Sequence, residues 1–432
     1  MAEKAMKAVF VSDVSPARGH IYGLRVSSFA RAMARRGHGV VVLSPTYEPE
    51  DVPVAPQDLA ALLQSHDWAA PLFVTAPPEM VPHIEASRNE NAPAPLRRML
   101  TAYLLAFEGG VHGDWERGAR PLARALAAEF RPDAVWAVFG NASTLVVAQK
   151  LARAAGASWF MDIKDNWEIY TPAAVRGLMT RRFKDAAGYT SNAYLHADIA
   201  ARFLPHRRTI LYSGVADVMA APPDAEARSD RFLLTLVGST YRDEMLAHFL
   251  SGLQRWLTTL TSSDRQKVSL RYVGIARSAV DRVLSRANVS CATETSGNIP
   301  HAELAQLCQS AAANCYLWAP YGFHHKLLEL LSTRRPVISF PGEHDESCRL
   351  SREVKGELIV CSDEEKLIAA FDAIWRRWGA GDISANACDI SRLNWDAGAE
   401  KLEKFLQSAL PRSGRSRQSE AVEGLLDPLS ES

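Results

Sequence analysis

The stretch Tyr321-Gly-Phe-His-His-Lys-Leu-Leu-Glu-Leu-Leu-Ser-Thr-Arg-Arg-Pro-Val-Ile338 sets Lys326 and Glu329 three residues apart, hence on one face of any helix formed there. A cation and a carboxylate at the start of a helix beside a cleft suit a nucleoside diphosphate. The ammonium would face the phosphates, and the carboxylate would accept hydrogen bonds from the ribose hydroxyls. A solvated Lys–Glu pair of little energetic weight is the plainer alternative. Two glycine-bearing stretches offer further anion sites, Ser12 to Gly23 and Gly238-Ser-Thr-Tyr-Arg242. Each is predicted to leave a strand and open a helix whose first N–H groups lack partners. Gly19, Gly23, Gly238 and Ser239 are the backbone candidates there, with Arg18, Arg25 and Arg242 as nearby cations. Gly19 and Gly23 are four apart and do not follow Gly-x-Gly-x-x-Gly, so this is no dinucleotide fingerprint, and glycines that merely make turns are the competing reading.

Asp162 and Asp165 stand at the end of a predicted strand, where they can face a ligand or cap the following turn. Trp167 beside them can meet that ligand or be partly buried packing. His112, inside Gly109-Gly-Val-His-Gly-Asp114, is a further candidate and otherwise a solvent-exposed loop histidine. His324 and His325 are adjacent, so on a helix they point about 100° apart and do not share one ion; no metal is expected. The six cysteines (Cys291, Cys308, Cys315, Cys348, Cys361, Cys388) form no Cys-x-x-Cys pair and read as reduced thiols in the core.

Positioning such groups requires sheets, and the apolar periodicity supplies them. Ala8 to Val11, Leu24 to Arg36 and Val40 to Leu43 read as strand, helix and strand, with Gly37 at the helix end. A Pro-rich, poorly patterned stretch runs from Pro45 to Pro95. The rhythm resumes with a strand over Ala134 to Phe139, a helix capped by Ser143 and ended by Gly156, and strands at 158–161, 188–190 and 209–212. After a small-residue linker, Ala220 to Arg228, come further strands near 232–237, 268–273, 315–318, 336–340 and 357–360. This grammar predicts an α/β fold of two Rossmann-like, doubly wound domains facing a cleft. Residues 1–217 are assigned to the first domain and 218–393 to the second. Residues 394–410 form a closing helix, and 411–432 a polar tail expected to be disordered.

With 47% apolar and 23% charged residues, the chain is globular, and its 432 residues exceed what one core usually fills. Lys plus Arg equals Asp plus Glu at 49 each, so no field draws nucleic acid and any anion site must be local. The apolar run after Lys7 is too short for a signal peptide, so a cytoplasmic location is expected. Basic clusters at Arg97-Arg98 and Arg181-Arg182-Phe-Lys184, flanked by Leu96, Met99, Leu100 and Met179, leave peripheral contact with an anionic membrane open.

The Tyr321–Ile338 stretch resembles the nucleotide-sugar motif of retaining glycosyltransferases of the GT-B fold, the family 4-like, group 1 type. The similarity extends to Arg35-Arg-Gly-His-Gly-Val-Val-Val-Leu43, Met161-Asp-Ile-Lys-Asp-Asn-Trp167, Ile210-Leu-Tyr-Ser-Gly-Val-Ala-Asp217, Arg271-Tyr-Val-Gly274, Gly297-Asn-Ile-Pro-His301 and Asn394-Trp-Asp396. These matches keep the family's order from residue 7 to about 408. The sequence departs from the pattern in three places: Tyr321 stands where a second glutamate is common, Ser213 replaces the hinge asparagine, and Arg334-Arg335 replaces the usual glycine before Pro336.

The resemblance implies transfer of a sugar, with retention, from a nucleoside diphosphate donor to a glycan, lipid-linked or small-molecule acceptor, and no cofactor. It assigns the leaving diphosphate to Lys326, Arg242 and the backbone of Gly19 and Gly238, with Gly23, Ser239 and Leu327 also on the donor side. Glu329 would hold the ribose. Asp162 would serve the chemistry, and Asp165, Trp167 and His112 are candidates for the acceptor or sugar. It further implies a closing helix that crosses back to the first domain. Two rivals use the same cleft, a nucleotide-sugar epimerase and a catalytically inert sugar-nucleotide binder.

Overall fold

Runs of Val, Ile, Leu and Phe too continuous to be one-sided become strands buried on both faces, as parallel sheets require. The computed structural model describes residues 5–16, 21–46, 51–88, 93–165, 167–220, 231–320, 323–382 and 386–410. Its first sheet contains β1 (Lys7–Val11), β2 (Gly39–Pro45), β3 (Leu72–Ala76), β4 (Ala134–Val138), β5 (Ser158–Ile163), β6 (Gly188–Ser191) and β7 (Arg208–Ile210). These are parallel in the order β3-β2-β1-β4-β5-β6-β7. The second contains β8 (Phe232–Val237), β9 (Val268–Val273), β10 (Ala292–Ser296), β11 (Ala313–Leu317), β12 (Val337–Phe340) and β13 (Leu358–Val360). It is parallel in the order β10-β9-β8-β11-β12-β13. Both are doubly wound, as expected, and each reverses its strand order once, between β1 and β4 and between β8 and β11. At such a switch point the loops diverge and leave a crevice beyond the carboxyl ends of the strands.

Two strands escaped the periodicity. β10 has the sequence Ala-Thr-Glu-Thr-Ser and is largely exposed at a sheet edge, so it carries no large apolar side chain to betray it. β3 lies inside the supposedly unpatterned Pro45–Pro95 stretch, also at an edge, and helices Leu59–Ser65 and Pro82–Arg88 flank it. The helix after β4, Ala142–Ala155, is capped by Asn141 and not by Ser143. The Asn141 Oδ1 accepts from the Ser143 and Thr144 N–H groups at 2.9 and 3.3 Å, and Gly156 at φ +63° ends the helix.

The closing helix, Trp395–Gln407, buries Leu402, Phe405 and Leu406 in the first lobe's cluster around Phe10, Val26, Phe29 and Trp136. Arg35–Asp396 and Arg36–Glu403 pairs, both at 2.6 Å, tie its polar side to helix Ile21–Arg35 and the turn after it. The chain passes Gly214 at contact distance, where a Cβ would lie 2.4 Å from the Trp395 nitrogen. The segment following the second sheet therefore returns to the first lobe.

Candidate functional site

Loops that leave the carboxyl ends of the two sheets touch. Glu346 opens helix Asp345–Glu353 after β12 and accepts from the Tyr194 N–H after β6 (3.0 Å) and from the Tyr212 hydroxyl after β7 (2.6 Å). Arg349 donates to the same hydroxyl at 3.1 Å. The switch-point crevices of both lobes thus open toward one groove, the standard place for a ligand in such folds.

On the second lobe, β8 ends at Gly238 with φ +93°, a conformation that suits glycine. A Cβ there would meet the Lys326 Nζ at 3.0 Å, so the missing side chain lets the ammonium lie against the strand end. That Nζ is shut off from solvent and has no hydrogen-bond partner among the described residues. It rests over the rings of Tyr241 and Tyr316, 5.1 and 5.5 Å from their centroids. Burial pushes it down to about 7. Aromatic faces offset only part of the cost of desolvating an ammonium, so this position favours an arriving anion.

The cup is completed by His324, whose Nδ1 lies 3.1 Å from the Tyr241 hydroxyl. Burial, and then the neighbouring Lys326, push His324 down to about 4. Glu343 lies in the loop after β12, where burial raises it to about 7 while it accepts from the Ser339 hydroxyl and the His344 N–H at 3.0 and 2.8 Å.

Glu329 is not the partner of Lys326, so the surface-pair reading fails. It is 15% exposed, and its Oε1 faces the Nε2 atoms of His325 and His301 at 3.4 and 3.7 Å. Burial alone would raise its carboxyl, but the two imidazoles, His325 foremost, hold it down at about 2. Glu329 in turn raises His301. Its second oxygen makes no hydrogen bond among the described residues.

On the first lobe the crevice holds Asp13 and Lys164, which the sequence did not single out, beside Asp165, which it did. Asp13, just beyond β1, accepts from the Asn141 Nδ2 at 2.6 Å through Oδ2, while its Oδ1 is buried without a partner among the described residues. A Cβ at Gly140 would lie 2.4 Å from Oδ2, so this glycine makes room for the carboxylate, which burial raises to about 6. Lys164 follows β5, its Nζ 4.3 Å from the Tyr22 centroid, and burial lowers it to about 8. Asp165 accepts from the Tyr22 hydroxyl. A carboxylate or lysine just past a strand of an open sheet was the available signal, and many such positions are unused.

Several anticipated residues are structural instead. Asp162 is fully buried and held bidentately by the Arg25 guanidinium at 2.7 and 2.8 Å, so it cannot reach a substrate. Thr190 donates to it at 2.5 Å, and Arg25 also donates to the Leu211 carbonyl and the Ser213 hydroxyl at 2.9 and 3.0 Å. Ser213, at the position of the family's hinge asparagine, is therefore a buried acceptor for Arg25. Trp167 is fully enclosed against Phe139 and has no face to offer a sugar. Leu327 is core, and its N–H donates to the His324 carbonyl.

Gly23 is buried inside helix Ile21–Arg35. Arg242 is exposed at the N-cap of helix Asp243–Thr259, four residues past Gly238, and Ser239 is half-exposed between them. His112 is not a free loop histidine: its Nδ1 lies 3.2 Å from Arg88, its N–H donates to Ser143 Oγ, and burial lowers the ring to about 4. Arg334 adopts φ +59°, the conformation that explains the glycine usual near this position. Gly19, Arg18 and Tyr321 lie outside the described residues, as does the 411–432 tail. Among the described residues no group of three His, Cys, Asp or Glu is arranged to hold a metal, and all six cysteines are unpaired.

No protein-family model matches the chain, and no curated protein matches it in sequence. Its shape does match solved structures. HepE of Anabaena in complex with UDP-glucose aligns with a TM-score of 0.57 at 15% identity, over 93% of this chain and 100% of that one. Sucrose-phosphate synthase from Thermosynechococcus elongatus aligns at 0.63 and 13%, over 94% and 99%. A Listeria monocytogenes protein assigned as a UDP-N-acetylglucosamine 2-epimerase aligns at 0.56 and 12%, over 94% and 96%. With two parallel-sheet lobes across a groove and a helix returning to the first, the chain has the GT-B fold of the glycosyltransferases.

Proposed function

We propose that the chain is a glycosyltransferase that moves a sugar from a nucleoside diphosphate, with retention at the anomeric carbon, to an acceptor entering along the first lobe. One observation carries the reading: Lys326 is a sealed ammonium with no counter-ion among the described residues, pressed against the strand end at Gly238. The transition state is an oxocarbenium-like sugar departing from a diphosphate, and preorganised positive charge at the leaving oxygens is what lowers that barrier. Lys326 supplies it, the backbone at Gly238 and Ser239 adds donors, and Arg242 reaches the outer phosphate. Glu329 takes the ribose hydroxyls through its unoccupied oxygen. On the opposite wall Asp13 and Asp165 orient the acceptor hydroxyl, with Lys164 close by.

HepE was solved with UDP-glucose, and a uridine nucleotide is accordingly the donor to try first. The acceptor is a glycan, a lipid-linked sugar or a small hydroxylated molecule. The test is product analysis by NMR after incubation with a panel of nucleoside diphosphate sugars, with and without acceptor glycosides. Transfer that keeps the donor's anomeric configuration, with slow donor hydrolysis in water alone, is expected. The Listeria likeness gives substance to a second reading, and conversion of free donor into its epimer without acceptor would establish it instead. Donor binding with no turnover would mark an inert binder.

A further inference from the structure

The first lobe carries a surface that the donor chemistry does not use. Helix Ala94–Phe107 turns Leu104 and Leu105 inward, yet Leu96, Met99, Tyr103 and Phe107 on its other side are 42, 63, 45 and 75% exposed. Their spacing of three and four residues makes one apolar stripe along the helix. Helix Ala173–Arg182 packs beside it and exposes Leu178 by 44%. Neither helix contains an acidic residue, while together they hold Arg97, Arg98, Arg181 and Arg182, with Lys184 just beyond; a fifth arginine, Arg176, is paired with Glu168. In a chain whose charges balance at 49 against 49, this local excess is an asymmetry of the surface.

We infer that this face seats the first lobe on an anionic lipid bilayer. An apolar stripe flanked by arginines and free of acids matches the boundary between acyl chains and negative headgroups. Arg97 adds a specific contact: its Nε is buried without a partner among the described residues, beside a cavity of about 540 Å³ lined by Ser87, Arg98, Thr101 and Pro172, where a headgroup phosphate fits. The stripe also points somewhere useful. Phe107 leads through Gly109 and Gly110 to His112, whose N–H bonds Ser143 at the first-lobe crevice, so an acceptor held in the bilayer would arrive at the groove. The inference does not depend on the donor reading, because its readout is binding to lipid.

The test is co-sedimentation of the full chain with phosphatidylcholine vesicles, with and without phosphatidylglycerol, at low and physiological salt. The wild type should pellet only with phosphatidylglycerol, and less at higher salt. Met99→Ser with Phe107→Ser, and separately Arg98→Glu with Arg181→Glu, should each weaken partitioning at least about tenfold with unchanged melting temperature, since these side chains are exposed. Absence of wild-type binding, or equal binding by both double variants, overturns the proposal. So does a lipid-free dimer that the Met99→Ser, Phe107→Ser pair converts to monomer, which would give the stripe to a second copy of the chain.

Discussion

Arg25 and Lys326 are both buried cations near the carboxyl ends of a sheet, one in each lobe, and the fold treats them in opposite ways. Arg25 meets Asp162 bidentately, has further acceptors at Leu211 and Ser213 and is fully buried, so its charge is already answered within the fold. Lys326 has two aromatic faces and, among the described residues, no acceptor. A buried charge with its counter-ion is framework. A buried charge without one raises the free energy of the empty protein and lowers it again when an anion arrives.

Four substitutions sharpen that contrast. The largest effect falls on the framework pair: Arg25→Met leaves the Asp162 carboxylate buried and alone, and should cost about 3–5 kcal/mol of stability in urea unfolding. Lys326→Met should do the reverse, leaving the melting temperature equal or higher while turnover drops about 100-fold or more, the scale of losing one preorganised charge at a developing anion. Glu329→Gln should weaken nucleotide binding about tenfold, and that loss should vanish with a nucleotide lacking the ribose hydroxyls.

The Asp13→Asn change acts on pH. Burial has raised that carboxyl to about 6, so if turnover needs the ionised form, rate should climb through pH 6 in the wild type and lose that rise in the variant.

Stability against pH gives a further check. The folded Lys326 ammonium sits at about 7 against an ordinary 10.5, so the unfolded chain binds the proton more tightly between those values. The Lys326 contribution to stability therefore rises as pH goes from about 7 toward 10.5 and is lost as pH falls back. Comparing urea midpoints of wild type and Lys326→Met at neutral and alkaline pH measures it.

The two sites also differ in how far the sequence disclosed them. Lys326 and Glu329 share one short helix, and Gly238 closes a strand ending in a plain apolar run, so local spacing brought out all three as candidates. Asp13 and Asn141 are 128 residues apart and meet only because β1 and β4 are neighbours at the switch point, a pairing that no local pattern encodes. Asp162 misled for the same reason: an aspartate at a strand end looks available until a partner 137 residues away is brought onto it. Trp167 shows the limit for aromatics, since amphipathic Trp suits a sugar face and a core equally. The alternating α/β order was legible throughout, because continuous apolar runs and amphipathic helices repeat it twice, and only the edge strands β3 and β10 escaped it.

The unpaired ammonium is tested most directly by calorimetric titration with uridine diphosphate near pH 8, in two buffers of different ionisation heat. An anion settling on Lys326 restores its proton, so binding should draw close to one proton from the buffer in the wild type and none in Lys326→Met. Tight binding with equal proton uptake in both proteins would place the diphosphate elsewhere and contradict the role given to Lys326.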